Sequence, residues 1–260
     1  MKTENFIIQN GVYFDKSLLP DTYFEKLYLA VRKKEQRIYR NDELLRLPHI
    51  DQCHPHYNEW YVRELSSKRL ITYLRRKKNQ LKILEVGCGN GWLSHKLAEI
   101  PQSEIVALDI NMFELRQAAN VFTNSNLKFV YGDIRKNIFE KMQFDTIVFA
   151  ASISYFFSLV EIIRLALQHL TTNGEIHIID SIFYEEEDIE SAKQKCKEYY
   201  DKMGMPEMAD YFFHHSIKEL RGLNYTLMTQ KDYVLEKLFS KRNIFPWLCI
   251  RQGTHLLAGS

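Results

Sequence analysis

The chain has 260 residues, 45% apolar and 26% charged, ordinary globular values that exclude disordered, collagenous and coiled-coil classes. A chain of this length buries a core without help from disulfides or metals. Thirty-five Lys and Arg against 33 Asp and Glu leave a net charge of +2, too balanced for the concentrated basic surface of a nucleic-acid binder.

The first fourteen residues, MKTENFIIQNGVYF, contain no apolar core of signal-peptide length. No stretch reaches the roughly 20 apolar residues of a membrane span. The four cysteines, at 53, 88, 196 and 249, show no CxxC or CxxH spacing. The expectation is a soluble cytoplasmic protein without a disulfide framework, metal site or membrane partner.

Pro20–Gln36 reads as an amphipathic helix, with Phe24, Leu27, Tyr28 and Val31 on one face. A His- and Pro-rich segment, LPHIDQCHPHY, follows, and a second helix is expected from Tyr57 to Lys78. Residues 1–80 carry 16 basic and 10 acidic side chains, net +6, whereas 81–260 carry 19 and 23, net −4. Residues 1–80 are therefore read as a helical cap or lid and 81–260 as a second domain. The run Arg75, Arg76, Lys77 and Lys78 suits the C-terminus of the second helix, where cations complement the dipole.

From residue 81, short apolar runs alternate with helical stretches. The runs are Lys82–Val86, Glu104–Leu108, Leu127–Tyr131, Phe144–Phe149 and Glu175–Ile179. Runs apolar throughout suit strands covered on both faces of a parallel sheet. Helices are expected at Trp92–Ile100, at Asn111–Phe122 with Asn111 as N-cap, and at Leu159–Leu170. This alternation predicts an α/β doubly wound sheet, which binds ligands at the C-terminal ends of its strands. Residues 183–222 read as a polar, Tyr-rich, helical insertion. Tyr225–Thr229 and Trp247–Arg251 are two further strand candidates.

The first strand runs into Glu85-Val86-Gly87-Cys88-Gly89-Asn90-Gly91-Trp92. A glycine-rich turn between strand and helix lets backbone approach a ligand closely. In the dinucleotide fingerprint a third glycine falls where this chain has Trp92, which weighs against an NAD-dependent oxidoreductase. No GKS or GKT follows, so a P-loop is excluded. The next strand ends at Asp109, followed by Ile110 and Asn111; a carboxylate there can accept from both hydroxyls of a ribose. The strand after that ends in Gly132-Asp133-Ile134, where Asp133 could accept from an adenine amine and Ile134 or Ile110 could lie on the ring. Three acidic residues ending three successive strands suit a cationic ligand with hydroxyls and an amine, and suit a pyrophosphate poorly.

These motifs, with Phe144–Phe149 and Leu170-Thr171-Thr172-Asn173-Gly174-Glu175, resemble the Rossmann-like class I methyltransferases that use S-adenosyl-L-methionine. The resemblance spans residues 57–260 and is strongest from 81 to 180. It implies seven strands with the last antiparallel. It implies that Gly87, Cys88, Gly89, Asn90 and Gly91 line the methionine part, with Glu85 near its amino group. Asp109 would hold the ribose hydroxyls, Asp133 and Ile134 the adenine, and the backbone at Ala150 the methionine amine. The Thr171–Gly174 stretch, a turn where many relatives have two glycines, departs from the pattern.

Methyl transfer from a sulfonium needs positioning more than a catalytic dyad. Tyr155 and Ser152 follow the fourth strand of that domain and are candidates for acceptor contact. His56, beside His54, and His215, beside His214, are candidates for a base, although a lone histidine is more often a structural hydrogen bonder. Tyr199, Tyr200, Tyr211, Phe212 and Phe213 either line an apolar acceptor pocket or pack the insertion on the sheet. The expected acceptor is a small molecule and the expected assembly a homodimer. The alternatives are an NAD-dependent oxidoreductase and a cofactor-binding scaffold without turnover, with an RNA methyltransferase using the basic N-terminal region less favoured.

Overall fold

The computed structural model describes residues 6–15, 22–77, 80–136, 138–140, 142–228 and 245–253. The chain forms two compact units, 1–142 and 143–260.

The first unit begins with a hairpin, β1 (Phe6–Gln9) and β2 (Val12–Asp15), that the sequence reading did not anticipate. Asn10-Gly11 forms its turn, the dipeptide that tight hairpins favour. Helices α1 (Thr22–Lys34), α2 (Asn41–Arg46) and α3 (Tyr57–Arg75) follow. Pro20 and Lys78, the expected outer ends of two helices, lie outside the described residues. Then come β3 (Leu81–Val86), α4 (Trp92–Ala98), β4 (Ser103–Asp109), α5 (Met112–Val121) and β5 (Leu127–Tyr131).

The strand order in this unit is β1-β2-β5-β4-β3. All neighbours pair in parallel except β1 with β2. The strands read as apolar runs because both faces are covered: Ile83, Leu84, Val86, Ile105, Ala107, Leu108, Phe129 and Val130 are all buried. Asn111 caps α5, its Oδ1 accepting from the Glu114 amide at 3.1 Å.

The helices before β3 pack on the helices beside the glycine-rich turn. Trp60 of α3 meets Trp92 of α4 edge-on at 5.3 Å, and its Nε1 donates to the Tyr39 hydroxyl at 2.7 Å. Gln117 of α5 donates to the Tyr39 carbonyl at 2.7 Å. Arg32 of α1 pairs with Glu114 of α5 at 3.5 Å.

The second unit contains β6 (Phe144–Ala150), α6 (Leu159–Gln168), β7 (Leu170–Ile179), α7 (Ile189–Lys202), β8 (Asn224–Leu227) and β9 (Leu248–Arg251). The order is β6-β7-β9-β8. β6 and β7 are parallel, and β9 runs antiparallel to both neighbours, as expected of the last strand. Thr229, the expected end of the eighth strand, lies outside the described residues. The α/β class and mostly parallel pairing follow the sequence reading. The described strands number nine against the seven expected, because the N-terminal hairpin adds two.

Thr171–Gly174 is not a turn that precedes the strand. β7 starts at Leu170, and the four residues bulge out, Leu170 pairing Phe144 while Glu175 pairs Thr146. The bulge is tight: a Cβ on Gly174 would lie 3.0 Å from the Thr171 carbonyl oxygen.

In place of one helical insertion, 183–222 holds one α-helix, α7, and three 3-10 segments. No helix among the described residues is long and apolar enough to cross a membrane. All four cysteines are free.

Candidate cofactor site

The C-terminal rim of the first sheet gathers most of the residues singled out from the sequence. Gly87 and Cys88 hang from the Leu108 carbonyl by their amides, at 2.8 and 3.1 Å, which ties the glycine-rich turn to the end of β4. Asp109, the last residue of β4, is then clasped by backbone. The Gly89 amide donates to its Oδ2 at 2.7 Å and the Asn111 amide to its Oδ1 at 2.8 Å. The Gly132 amide donates to the Asp109 carbonyl at 2.9 Å, so the end of β5 is fixed at the same level.

The rim is strongly acidic. Glu85 is buried near the end of β3, its Oε2 accepting from the Ser94 hydroxyl. Burial lifts its pKa to about 8; the Ser94 bond opposes this and the Asp109 charge adds to it. Asp109 is lifted to about 7 by burial and then by Glu114, against the pull of its backbone donors. Burial also raises Glu114 despite Arg32, and raises the buried Cys88 thiol further with help from Asp109. Three carboxyl groups thus share one enclosed region, and a cation there would relieve all three.

Glu114 was not singled out from the sequence. Its Oε2 is buried with no hydrogen-bond partner among the described residues, as is Asn111 Nδ2. A Cβ on Gly89 would lie 3.1 Å from that Oε2, so only glycine keeps this approach open. Helical position alone does not tell that Glu114 turns inward; the one available signal was an acidic first-turn residue just beyond Asp109.

The remaining residues are less uniform. Asn90 is buried, its Oδ1 accepting from the Trp92 amide at 3.4 Å. Ile134 is buried and Ile110 partly exposed. Asp133 is held by Arg135, whose Nε and Nη2 reach its carboxylate at 2.9 and 2.7 Å. An adenine amine would share that carboxylate with a guanidinium. His56 occupies the N-cap position of α3 without a side-chain capping bond, and its Nε2 donates to the Glu35 carbonyl at 2.5 Å.

In the second unit, Ala150 ends β6 and pairs with Ile179. Tyr155 lies in the turn that follows, edge-on to Phe212 at 5.8 Å. His215 is buried: its Nε2 donates to the Phe156 carbonyl at 3.0 Å and its Nδ1 faces Glu219 Oε1 at 3.5 Å. Its Nε2 is thereby bonded inside the protein.

Cysteine spacing gave no hint of one further cluster. Glu175, His177 and Cys249 place donor atoms within 4.8 Å of one another across β7 and β9. These groups already serve the fold: Trp247 Nε1 donates to His177 Nδ1 at 3.1 Å, and Arg251 Nε to Glu175 Oε1 at 2.9 Å.

The cradle around Asp109 fits an adenosyl sulfonium. It offers a positioned Asp109 carboxyl, a cluster of acidic groups that a cation would help to ionise, and two buried polar atoms awaiting partners. Trp92, where a dinucleotide site would need glycine, is buried against Trp60.

A family profile described as "Methyltransferase domain" matches residues 77–239. The chain is 29% identical over 197 residues to malonyl-[acyl-carrier protein] O-methyltransferase of Halalkalibacterium halodurans, across 71% of this chain and 66% of that one. It is 32% identical over 110 residues to ribosomal RNA small subunit methyltransferase C of Buchnera aphidicola, across 39% and 32%. The chain thus spans less than two thirds of the length of either relative. Its fold is similar to that of a plantazolicin methyltransferase solved with a triazolic desmethyl analogue and S-adenosylhomocysteine, with a TM-score of 0.55, 16% identity and 90% and 92% of the two chains covered. On the profile match, the chain belongs to the methyltransferase-domain family, that of the class I S-adenosyl-L-methionine-dependent methyltransferases.

Proposed function

We propose that this protein transfers the methyl group of S-adenosyl-L-methionine to a small-molecule acceptor. The observation that carries the reading is Asp109, whose two oxygens are oriented by the Gly89 and Asn111 amides at the end of β4. Bound there, the cofactor supplies a methyl group on a sulfonium, already activated for in-line displacement.

Asp109 accepts from the ribose hydroxyls, and its backbone clasp pre-orients it for both. Gly87, Cys88, Gly89, Asn90 and Gly91 keep backbone close to the methionine part. Glu85, with Ser94 behind it, sits toward the amino group. Asn111 Nδ2 and Glu114 Oε2 are available as further polar contacts. Ile110, Gly132 and Ile134 border the adenine, and Asp133 meets its amine only in competition with Arg135. Tyr155 is the acceptor-side candidate. His56 and His215 hold the fold through their ring nitrogens, so the reading assigns them no base role.

The likeness to a ribosomal RNA methyltransferase covers 39% of the chain and supports the fold, not an RNA acceptor. Calorimetric titration with S-adenosylhomocysteine tests the reading. Wild type should bind, and Asp109→Ala should lose about tenfold or more, the loss of one well-made charged hydrogen bond. A folded wild type that does not bind would refute the proposal.

A further inference from the structure

The segment after β7 borders an open cavity of about 540 Å3. That lies within the roughly 300–1,000 Å3 typical of small-molecule sites. Helix α7 forms one wall. Ser191, Ala192, Lys195, Cys196 and Tyr199 recur every three or four residues and share one helical face. The middle of that face is Ala192 and Cys196, small side chains that leave the space open. Tyr184, Phe212 and His214 supply the aromatic lining, with the His214 ring 5.3 Å from Tyr184 and 5.5 Å from Phe212.

One atom in this lining is unsatisfied. His214 Nδ1 is buried and has no hydrogen-bond partner among the described residues. Burial, with Lys193 and His215 nearby, lowers the pKa of this ring, so at neutral pH it is an uncharged imidazole with one donor and one acceptor. A buried polar atom without a partner is costly, so a small turn of the His214 ring that brings Nδ1 to a ligand's polar group gains accordingly. The cavity also adjoins the loop after β6. Phe212 meets Tyr155 edge-on at 5.8 Å, and the Phe213 amide donates to the Ser154 carbonyl at 2.7 Å.

We infer that this cavity binds a planar aromatic molecule bearing a hydroxyl or amino group, its ring against Tyr184 and Phe212 and its polar substituent on His214 Nδ1. Aromatic walls favour an aromatic ring in edge-on or offset contact over a saturated one. The histidine selects the substituted ring over the bare hydrocarbon. Asp188, Ser191 and Lys195 give the mouth a polar rim that keeps one end of the ligand wet. The aromatic, hydroxylated character of the occupant rests on the cavity alone and not on the function proposed above.

Cys196 lies in the wall and reports occupancy. The full chain is alkylated with iodoacetamide with and without 1-naphthol, naphthalene or decahydro-1-naphthol, and modification of Cys196 and the exposed Cys53 is read by peptide mass mapping. 1-Naphthol should slow modification of Cys196 about tenfold at saturation and leave Cys53 unchanged; naphthalene and the saturated alcohol should require about tenfold more ligand, the equivalent of one hydrogen bond or ring contact. His214→Phe should bring 1-naphthol and naphthalene to equal effect. Should that variant not fold, Ala192→Trp, which fills the space beside Cys196, should abolish protection of the thiol by ligand. No protection of wild type, or an undiminished preference for 1-naphthol in His214→Phe, overturns the inference. S-adenosylhomocysteine titration of the same preparations reads the cofactor site separately, so loss of one reading leaves the other standing.

Discussion

The Gly89 amide donates to Asp109 Oδ2 at 2.7 Å, so the glycine-rich turn after β3 and the carboxylate that ends β4 fix each other. Neither residue is held this way by its own element. The bond spans twenty residues of sequence and closes only when β3 and β4 pair in the register Val86–Leu108.

That clasp sits in a region of raised carboxyl pKa values, which gives a pH signature. Asp109 at about 7 and Glu85 at about 8 exceed their unfolded values of 3.8 and 4.5. The folded chain therefore binds more protons than the unfolded chain between those limits. The associated stability is complete below about pH 4 and is lost as pH rises through about 7 to 8. The thermal midpoint of the free protein should fall over that range, and Glu85→Gln, which has no carboxyl to ionise, should fall less. S-adenosyl-L-methionine, a cation, should raise the midpoint more at about pH 8 than at about pH 6. Parallel pH profiles of wild type and Glu85→Gln in scanning calorimetry would contradict the assignment.

Gly91 occupies a left-handed conformation, φ 74°, and a Cβ there would lie 2.6 Å from Phe129 Cε1 and 3.0 Å from Ala118 Cβ. Strain and overpacking both oppose a side chain, so Gly91→Ala should cost about 2–4 kcal/mol in urea denaturation. Gly253→Ala, whose Cβ meets nothing within 4 Å, should change stability by less than about 0.5 kcal/mol. Similar losses in the two variants would show that the turn is looser than described.

Trp60 Nε1 and the Tyr39 hydroxyl form a buried pair at 2.7 Å. Trp60→Phe should cost about 3 kcal/mol or more, combining lost volume with a stranded hydroxyl. Tyr39→Phe alone should cost about 1–2 kcal/mol. The double variant should be less destabilised than the sum, because neither group then lacks a partner. Strict additivity in a double-mutant cycle would remove the bond from the account.

Arg37 grips Glu59 through Nη1 and Nη2 at 2.7 and 2.6 Å. Burial by itself would raise the Glu59 pKa, but the Arg37 bonds and the charge of Arg63 outweigh it and hold it at about 2. A depressed carboxyl stabilises the fold above its unfolded value of 4.5 and loses that contribution as pH falls toward about 2. Glu59→Gln should therefore be less stable than wild type at pH 7, with the difference shrinking through about pH 4 to 2. An unchanged gap at acid pH, read by urea denaturation, would mean that the pair contributes nothing.

Much of the fold was legible because periodicity reports burial. The five doubly covered strands, the helices between them and the Asn111 cap all follow from local pattern and short-range hydrogen bonding. The glycines and Asp109 were legible because their roles depend on backbone position at strand ends. The N-terminal hairpin carried its own signal in Asn10-Gly11, but two four-residue strands are too short for periodicity to separate from loop.

The amino-acid order by itself determined an alternating α/β chain and a cofactor rim that could accept a cation, since both are written in neighbouring residues. Only the tertiary structure decided that Glu114 and Arg32 join that rim, that Arg135 occupies Asp133, that His215 Nε2 is bonded within the fold, and that α7 and His214 border one cavity. Those facts depend on which side chains meet after long loops close, and spacing along the chain carries no record of that.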